Sequence, residues 1–569
     1  MPKNYLNNNN NFRMKRINTL IAIAVIGLIQ CLAQPSSVKD AAKSVFKLST
    51  YKADGSLLAE SNGIFVSEDG TAVSSLKPFL GADRATITDM KGKQAEVSRI
   101  LGVNEIYDMA KFKVEGIKPE PAQIAVTPAK SGEEVWLITY KGKATQTVAT
   151  TVKSVETFMD KYAYYIFTMQ APDGTNACPF VNKQGQVIGM LKPSNTSTDT
   201  HATDVNYALT LQTNGFALND PLLKQIGIPP ALPKDEEQAL LTLMMAESAD
   251  SVKRSAIVSD FVAQYPNRAD GYSAMARIQV LANKFDDAAE TMETAIKQAD
   301  NKDEAHAGYG KIIYDKLLYK ADVPYKAWTF DKAEEETNKA YEIKPLPTYR
   351  HQLAQITFAK GDYQKAYDEF TQLLNTTMRN PELFYEAAQC KTMLKAPQQE
   401  VIALLDSAIN NTDTLRIRET APYFLARGDA YNAIDSFRQA VFDYTRYEIL
   451  SGQRMNSQFY YIRSQAEIKA KLYQQALGDL AAAIILSPEE PTYYAEMASL
   501  QLRVNMIDEA IKTAGKCVEL APEYSDGYLL LGLAQVRKED TATGLANLEK
   551  AKELGNPQAQ PLIDKYSKK

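Results

Sequence analysis

Side chains able to perform acid–base or nucleophilic chemistry are scarce in this chain of 569 residues. Histidine occurs three times, so few residues could serve as a histidine base or form a multi-histidine metal site. None of the four cysteines forms a C-x-x-C pair, which gives no indication of a zinc or thioredoxin-type site, and we expect no metal and no cofactor. These residues are His201, His306, His351, Cys31, Cys178, Cys390 and Cys517.

Cys178 and Lys77 are the candidates for unusual chemistry in the first half of the chain. A cysteine nucleophile needs an exposed thiolate beside a histidine or another cation. A lysine base needs burial that removes water from its ammonium group. Cys178 is therefore either a nucleophile or a small buried residue that fills space. A dyad of Lys77 with Ser74 or Ser75 has no oxyanion hole placed for it.

The segment from Ser44 to Leu211 has the pattern of an all-β domain. Short β-rich runs, such as 135–138 and 164–167, alternate with turn signals such as Asp54-Gly55. This spacing predicts a sandwich or a barrel.

Local motifs in this segment follow the order found in secreted trypsin-like and HtrA-like serine proteases. The family patterns are G-S-G-F, V-V-T-N-x-H-V, D-L-A-x-x-K-V and G-x-S-G-G-P, followed by G-x-V-I-G. Their counterparts here are NGIFVSEDG at 62–70, AVSSLKPFLGA at 72–82, YDMAKFKV at 107–114, APDGTNACPF at 171–180 and GQVIG at 185–189. The region 38–227 therefore resembles a trypsin-like double β-barrel.

The resemblance implies three triad positions, two of which carry residues unsuited to catalysis. Lys77 stands where the family has its histidine base, Asp108 where it has the orienting aspartate, and Asn176 where it has the nucleophilic serine. An asparagine amide cannot attack a carbonyl, and a charged lysine is a poor base. We therefore expect an inactive, protease-like domain in which Asp108 forms an ion pair with Lys77.

The second half of the chain repeats every 34 residues, in windows that begin at Ser457, Pro491 and Ser525. Small residues recur at the eighth, twentieth and twenty-seventh places, where two antiparallel helices can approach closely. The windows resemble the tetratricopeptide repeat (TPR). Looser copies predict about eight TPR-like hairpins over 241–558, with an insertion at 320–328, as an all-α superhelical solenoid. A charged tail or capping helix is expected at 559–569.

The resemblance to TPR domains implies a groove, lined by the first helix of each repeat, that binds a protein or peptide. The three cations among its candidate residues occupy the thirteenth place of successive repeats. They form either a ladder that recognises an acidic partner segment or solvated helix ends that complement the helix dipole. The candidate groove residues are Tyr461, Gln465, Lys469, Arg503, Leu529 and Arg537.

Residues 1–33 have the pattern of an export signal. Two basic residues precede the apolar run 20–29, which is too short to span a bilayer, and cleavage is expected before Gln34. Met14 is a possible true start. A buried core helix and a lipoprotein signal with a lipidated Cys31 are the alternatives. Export predicts the periplasm or surface of a Gram-negative-type bacterium, with three cysteines in the mature chain and at least one free thiol.

The sequence as a whole predicts an exported scaffold or adaptor for protein partners. A net charge of −5 argues against a general nucleic-acid binder, and no transmembrane segment is expected in the mature protein. The proline-rich segment 228–240 is expected to be a semi-rigid linker between the two parts. Two alternatives remain open: an active secreted serine or cysteine peptidase whose repeats recruit substrate, and a structural cell-envelope protein.

Overall fold

The computed structural model describes residues 35–141, 144–192 and 199–567. Its contacts separate a first unit that ends at Gly308 from a second that begins at Tyr309. The predicted signal segment, with Met14 and Cys31, lies outside the described residues. Within the described ranges, no helix combines the length and apolar character needed to cross a bilayer.

The first unit contains two closed antiparallel barrels of six strands each. The strands are β1 Val45–Tyr51, β2 Leu57–Phe65, β3 Thr71–Ser74, β4 Arg84–Asp89, β5 Gln94–Asn104, β6 Met109–Val114, β7 Glu134–Lys141, β8 Ala144–Phe158, β9 Tyr162–Phe167, β10 Pro179–Val181, β11 Val187–Lys192 and β12 Thr200–Asp204. The strand orders are β1-β2-β3-β6-β5-β4 and β7-β8-β9-β12-β11-β10, so the second barrel repeats the pairing of the first. This confirms the predicted all-β double barrel.

Aromatic side chains fill each barrel. Phe46 and Phe65 lie 4.7 Å apart in the first barrel, and Phe167 stacks on Phe180 at 4.0 Å in the second. Gly63 is required where β2 crosses this core, because a Cβ there would lie 2.5 Å from the Phe46 ring and 2.6 Å from the Val73 carbonyl oxygen. The glycine of the N-G-I-F motif is thus a packing requirement.

Helices flank the barrels and form nearly all of the remaining chain. They are α1 Ser36–Ala41, α2 Val205–Thr210, α3 Glu236–Met245, α4 Ser251–Gln264, α5 Ala269–Leu281, α6 Phe285–Gln298, α7 Lys302–Tyr319, α8 Phe330–Ile343, α9 Pro347–Ala359, α10 Tyr363–Leu373, α11 Pro381–Met393, α12 Gln398–Asn410, α13 Ala421–Ala433, α14 Phe437–Ser451, α15 Ser457–Lys469, α16 Tyr473–Leu486, α17 Pro491–Arg503, α18 Ile507–Leu520, α19 Ser525–Arg537, α20 Thr541–Glu553 and α21 Ala559–Tyr566.

In the first unit α5 and α6 form a hairpin, and in the second unit successive helices from α9 to α20 do the same, as the 34-residue period predicts. The small residues lie at the contacts between paired helices: Ala498 and Ala510 are fully buried. At Gly532 a Cβ would lie 2.8 Å from the Gly544 carbonyl oxygen. The predicted insertion forms the loop between α7 and α8, where Trp328 is buried. These observations confirm the predicted helical-repeat fold class.

The first helical pair belongs to the same unit as the barrels. Ile100 in β5 donates its N–H to the Pro229 carbonyl oxygen and accepts the N–H of Ala231. Next to it, Arg99 donates through Nε and Nη2 to both carboxylate oxygens of Asp260 in α4, at 2.7 and 2.9 Å. The proline-rich segment is therefore held against the first barrel by backbone hydrogen bonds.

A cluster of four ionisable side chains, which we call the α15 charge cluster, lies in the second unit; three of them are buried and Glu448 is partly exposed. Arg463 donates to both carboxylate oxygens of Asp479 at 2.6 and 2.9 Å, and to Glu448 at 2.6 Å. Glu467 lies 3.9 Å from the Arg463 Nε, and one of its carboxylate oxygens is buried without a hydrogen-bond partner in the part of the chain that the structure describes. Burial, with the nearby charge of Asp479 adding to it, raises the pKa of Glu467 to about 8.

Replacing Glu467 by glutamine is expected to change how the stability of the second unit depends on pH. Because the folded-state pKa of Glu467 lies above its unfolded value, this group stabilises the fold at low pH, and that contribution is lost as pH rises toward about 8. The wild-type free energy of unfolding should fall by about 2 kcal/mol between about pH 6 and pH 8. The Glu467→Gln chain, which mimics the neutral acid, should show a flatter profile.

Urea unfolding followed by far-ultraviolet circular dichroism measures this difference. Glu509→Gln is the matched control, because Glu509 is exposed on α18 and should leave the wild-type pH profile unchanged. Parallel profiles for wild type and Glu467→Gln would contradict the assignment of the titrating group.

Candidate functional site

The Asp108 carboxylate is bound by the segment that precedes and includes Lys77. It accepts hydrogen bonds from the Ser75 hydroxyl at 2.6 Å, the Leu76 N–H at 3.0 Å and the Lys77 N–H at 2.9 Å. Asp108 is buried and has a φ of +51°, a conformation that aspartate tolerates better than most residues. Its carboxylate therefore fixes the chain at the start of the turn that follows β3.

Lys77 does not form the ion pair predicted for it. Within the described ranges no ion pair of 4.0 Å or less joins its ammonium to Asp108, which contacts the Lys77 backbone N–H instead. The side chain of Lys77 is exposed. A lysine base requires removal of water from its ammonium, and an exposed position does not provide that.

Asn176 lies in a turn that is fastened to β2. Its backbone carbonyl oxygen accepts hydrogen bonds from the Asn62 N–H at 3.1 Å, the Asn62 side-chain amide at 3.2 Å and the Ser61 hydroxyl at 3.3 Å. The Asn62 amide also donates to the Gly174 carbonyl oxygen at 3.0 Å. The Asn176 side-chain oxygen is buried without a hydrogen-bond partner among the described residues.

Cys178 lies two residues further on, inside the second barrel. It is fully buried, among residues that include Phe180, and burial raises the pKa of its thiol to about 12. A thiol in this environment does not form the thiolate that attacks a carbonyl. The environment favours the interpretation that Cys178 fills space.

His201 and Lys192 lie on paired strands of the second barrel. The His201 ring is 5.6 Å from that of Tyr164, and its two nitrogens are buried without hydrogen-bond partners in the described chain. Lys192 donates to the Ile106 carbonyl oxygen at 2.6 Å. Burial lowers the pKa of Lys192, the charge of Asp108 opposes this, and that of Lys77 adds to it.

Lys192 was missed by sequence reasoning. It is the last residue of β11, three places after the end of the G-x-V-I-G motif, and this position was the available signal. Ile106, Asp108 and Lys77, which act on Lys192, belong to the first barrel. A motif within one strand of the second barrel does not reveal these neighbours. The site around Asp108 thus includes Lys192, which is close enough to Asp108 and to Lys77 for their charges to affect its pKa.

The predicted groove residues have different environments. Tyr461 packs against Tyr493 with ring centroids 5.2 Å apart, and the Gln465 side-chain nitrogen is buried without a partner in the described residues. Leu529 is 8% exposed and packs in a core cluster with Leu548. This burial favours a position in the core over one on an open surface, and the assignment of Leu529 to the groove stays a prediction.

The three cations of the predicted ladder also differ. Lys469 lies 5.0 Å from the centre of the Phe437 ring. Arg537 donates to the Leu502 carbonyl oxygen at 2.7 Å, so its guanidinium is engaged within the repeats. Arg503 is exposed at the end of α17. The contact of Arg537 favours helix-end stabilisation over partner recognition at that position.

Comparison with known proteins gives short or low-identity matches. The chain matches no protein-family model. It is 30% identical to the Hsp70-Hsp90 organizing protein of Triticum aestivum over 88 residues, 16% of this chain and 15% of the relative. It is 33% identical to the SGT1 homolog of Oryza sativa subsp. japonica over 89 residues, 16% of this chain and 22% of the relative. The chain thus spans less than a quarter of the length of these curated relatives.

Among solved structures, two forms of one protease are similar to part of the chain. The active form of the Rv3671c protease from M. tuberculosis is 18% identical, with a TM-score of 0.28, covering 32% of this chain and 84% of that one. The inactive form is 20% identical, with a TM-score of 0.27, and the match covers 32% of this chain and 92% of that protease chain.

Proposed function

We propose that this protein is an exported scaffold whose helical repeats bind a protein or peptide partner and whose double barrel is non-catalytic. One observation carries the second part of the proposal. The carboxylate of Asp108, which in a protease would orient a histidine, accepts hydrogen bonds from the chain around an exposed Lys77. Because an exposed lysine stands where the base would be, this aspartate has no histidine to orient.

The neighbouring residues support the same conclusion. Asn176 supplies an amide at the nucleophile position, and the buried Cys178 thiol has a pKa raised to about 12. Acyl transfer needs a nucleophile activated by an adjacent base, and these side chains offer neither. The barrel pair therefore acts as a folded platform.

The helical repeats support the binding part of the proposal. The Triticum relative is named as an organizer of Hsp70 and Hsp90, a function that depends on holding other proteins. Stacked helical hairpins present extended surfaces instead of enclosed reaction sites, which suits a protein or peptide ligand. Export is proposed from the pattern of residues 1–33.

Covalent probes test the non-catalytic part. The purified full chain should gain no adduct from a fluorophosphonate, no native-state adduct at Cys178 from iodoacetamide, and no activity on casein. The same chain in urea should label at its buried cysteines, which shows that the thiol reagent works. A fluorophosphonate adduct, or casein cleavage lost in Cys178→Ala, would replace the scaffold proposal with the peptidase alternative.

Site-specific photocrosslinking tests the binding part. A benzophenone amino acid at position 503, exposed at the end of α17, should capture a partner from cell-envelope extract. The same probe at position 552, on the second helix of the last hairpin, is the matched control and should not capture that partner. Equal capture at both positions, or capture at neither, would contradict binding in the predicted groove.

A further inference from the structure

A groove of about 580 Å³ opens beside the first barrel, within the first unit. We call it the basic groove. The β2–β3 turn forms one side, β6 forms its floor, and the chain after α2 together with the proline-rich segment forms the other side. Its charged lining residues are Lys111, Lys113, Lys234 and Asp69.

The positive charges in the basic groove exceed the negative ones. Asp69 pairs with Lys113 at 2.9 Å. Within the described ranges, no carboxylate lies within 4.0 Å of the ammonium of Lys111 or of Lys234. The groove therefore has two lysines without a carboxylate partner, in a volume typical of small-ligand sites.

Lys111 is held in place before any ligand arrives. Its ammonium donates to the Leu209 carbonyl oxygen at 2.6 Å and to the Leu211 carbonyl oxygen at 3.1 Å, which leaves one N–H for a ligand. Burial lowers the pKa of Lys111, the nearby charge of Lys234 adds to this, and Asp69 opposes it. An anion between the two lysines would remove their mutual repulsion.

The walls of the groove limit the kind of anion. Leu101, Leu211, Leu232 and Pro233 line it beside the lysines, so an apolar group is accommodated next to the charge. The two carbonyl oxygens on Lys111 reduce the local positive potential, which favours a monoanion over a phosphate dianion. A carboxylate attached to an apolar group meets both conditions.

We propose that the basic groove binds a carboxylate carried on an apolar group, with Lys111 and Lys234 contacting the carboxylate. A peptide that ends in an apolar residue and a medium-chain fatty acid share this chemistry. The site is separate from the degenerate triad and does not depend on the proposed partner of the repeats.

Isothermal titration of the full chain distinguishes the two sources. The probes are octanoate, the tripeptide acetyl-Ala-Ala-Leu as free acid, and the same tripeptide as C-terminal amide. We expect saturable binding of at least one free acid and none of the amide. Binding of octanoate alone assigns a lipid carboxylate, and binding of the tripeptide alone assigns a chain terminus. Binding of both supports the shared chemistry.

Charge reversal locates the site. Lys234→Glu should weaken binding about tenfold or more, whereas Lys52→Glu, at an exposed lysine in the β1–β2 turn, should leave it unchanged. Lys111→Met should also weaken binding, and circular dichroism shows whether that chain is folded. If the Lys111→Met chain is unfolded, the effect of Lys234→Glu on binding still tests the proposal. Absence of saturable binding by both acids, or equal effects of Lys234→Glu and Lys52→Glu, would overturn the proposal.

Discussion

Replacement of Arg463 by alanine is expected to lower the free energy of unfolding of the second unit by about 3–5 kcal/mol. Arg463 is 7% exposed and is the cation of the α15 charge cluster. Without it, the carboxylates of Asp479 and Glu448 would have no compensating charge, and they lie beside Glu467, whose pKa of about 8 keeps it largely neutral near pH 7. Removing one partner of a buried pair costs more than the pair contributes, because the remaining charge has lost its water.

Urea unfolding followed by circular dichroism measures the loss. Arg503→Ala is the control, since Arg503 is exposed and its replacement should change stability by about 0.5 kcal/mol or less. Arg463→Lys should be intermediate, because lysine keeps the charge but cannot make the two parallel hydrogen bonds to Asp479. If Arg463→Ala proves as mild as the control, the cluster does not stabilise the fold as its geometry indicates.

Replacement of Asp108 by alanine should destabilise the barrels by about 2–3 kcal/mol, whereas asparagine should cost less than about 1 kcal/mol. The backbone N–H groups of Leu76 and Lys77 both donate to one carboxylate oxygen of Asp108, and the side-chain carbonyl oxygen of asparagine can replace that oxygen. The Ser75 hydroxyl binds the other oxygen and can turn to accept a hydrogen bond from the new amide. Asparagine also tolerates positive φ.

Tryptophan fluorescence separates the barrels from the repeats in this measurement. The sequence has two tryptophans, Trp136 in β7 and Trp328 before α8, so a Trp328→Phe background reports through Trp136 alone, which packs in one core cluster with Val73 and Met109 of the first barrel. All Asp108 variants are compared in that background. A loss of stability with asparagine as large as with alanine would show that the negative charge of Asp108, near Lys77 and Lys192, is what matters.

The regular features of the fold could be predicted because they repeat or keep a fixed order. Small residues at one period of the repeats indicate where helices approach, since only small side chains permit that distance. The α15 charge cluster could not be predicted this way. The places equivalent to Arg463 in the next two repeats hold Met497 and Leu531, so the three regular windows do not mark it, although Arg427 in the looser preceding copy makes the same paired contact with Asp443.

For the site around Asp108, motif order indicated the residues but not the contacts that they make. Motif order placed Lys77, Asp108 and Asn176 on adjoining segments, yet the ion pair expected between the first two was wrong. Matching the sequence to a family motif identifies which residues are neighbours but not which of their atoms make contact. Here the backbone N–H of Lys77, and not its ammonium, donates to the Asp108 carboxylate. The burial of Leu529 likewise depends on its neighbour Leu548 in α20, which lies outside the single-helix pattern that suggested a groove position.

The attachment of α4 to β5 bears on the order in which the chain can fold during synthesis. β5 is complete at Asn104, but Arg99 finds its partner only when Asp260 has left the ribosome. The strands of the first barrel end at Val114, so β5 gains its contact with Asp260 from a helical segment made well after all of them. A nascent chain stalled within the proline-rich segment would therefore present β5 without these contacts, open to folding helpers or proteases.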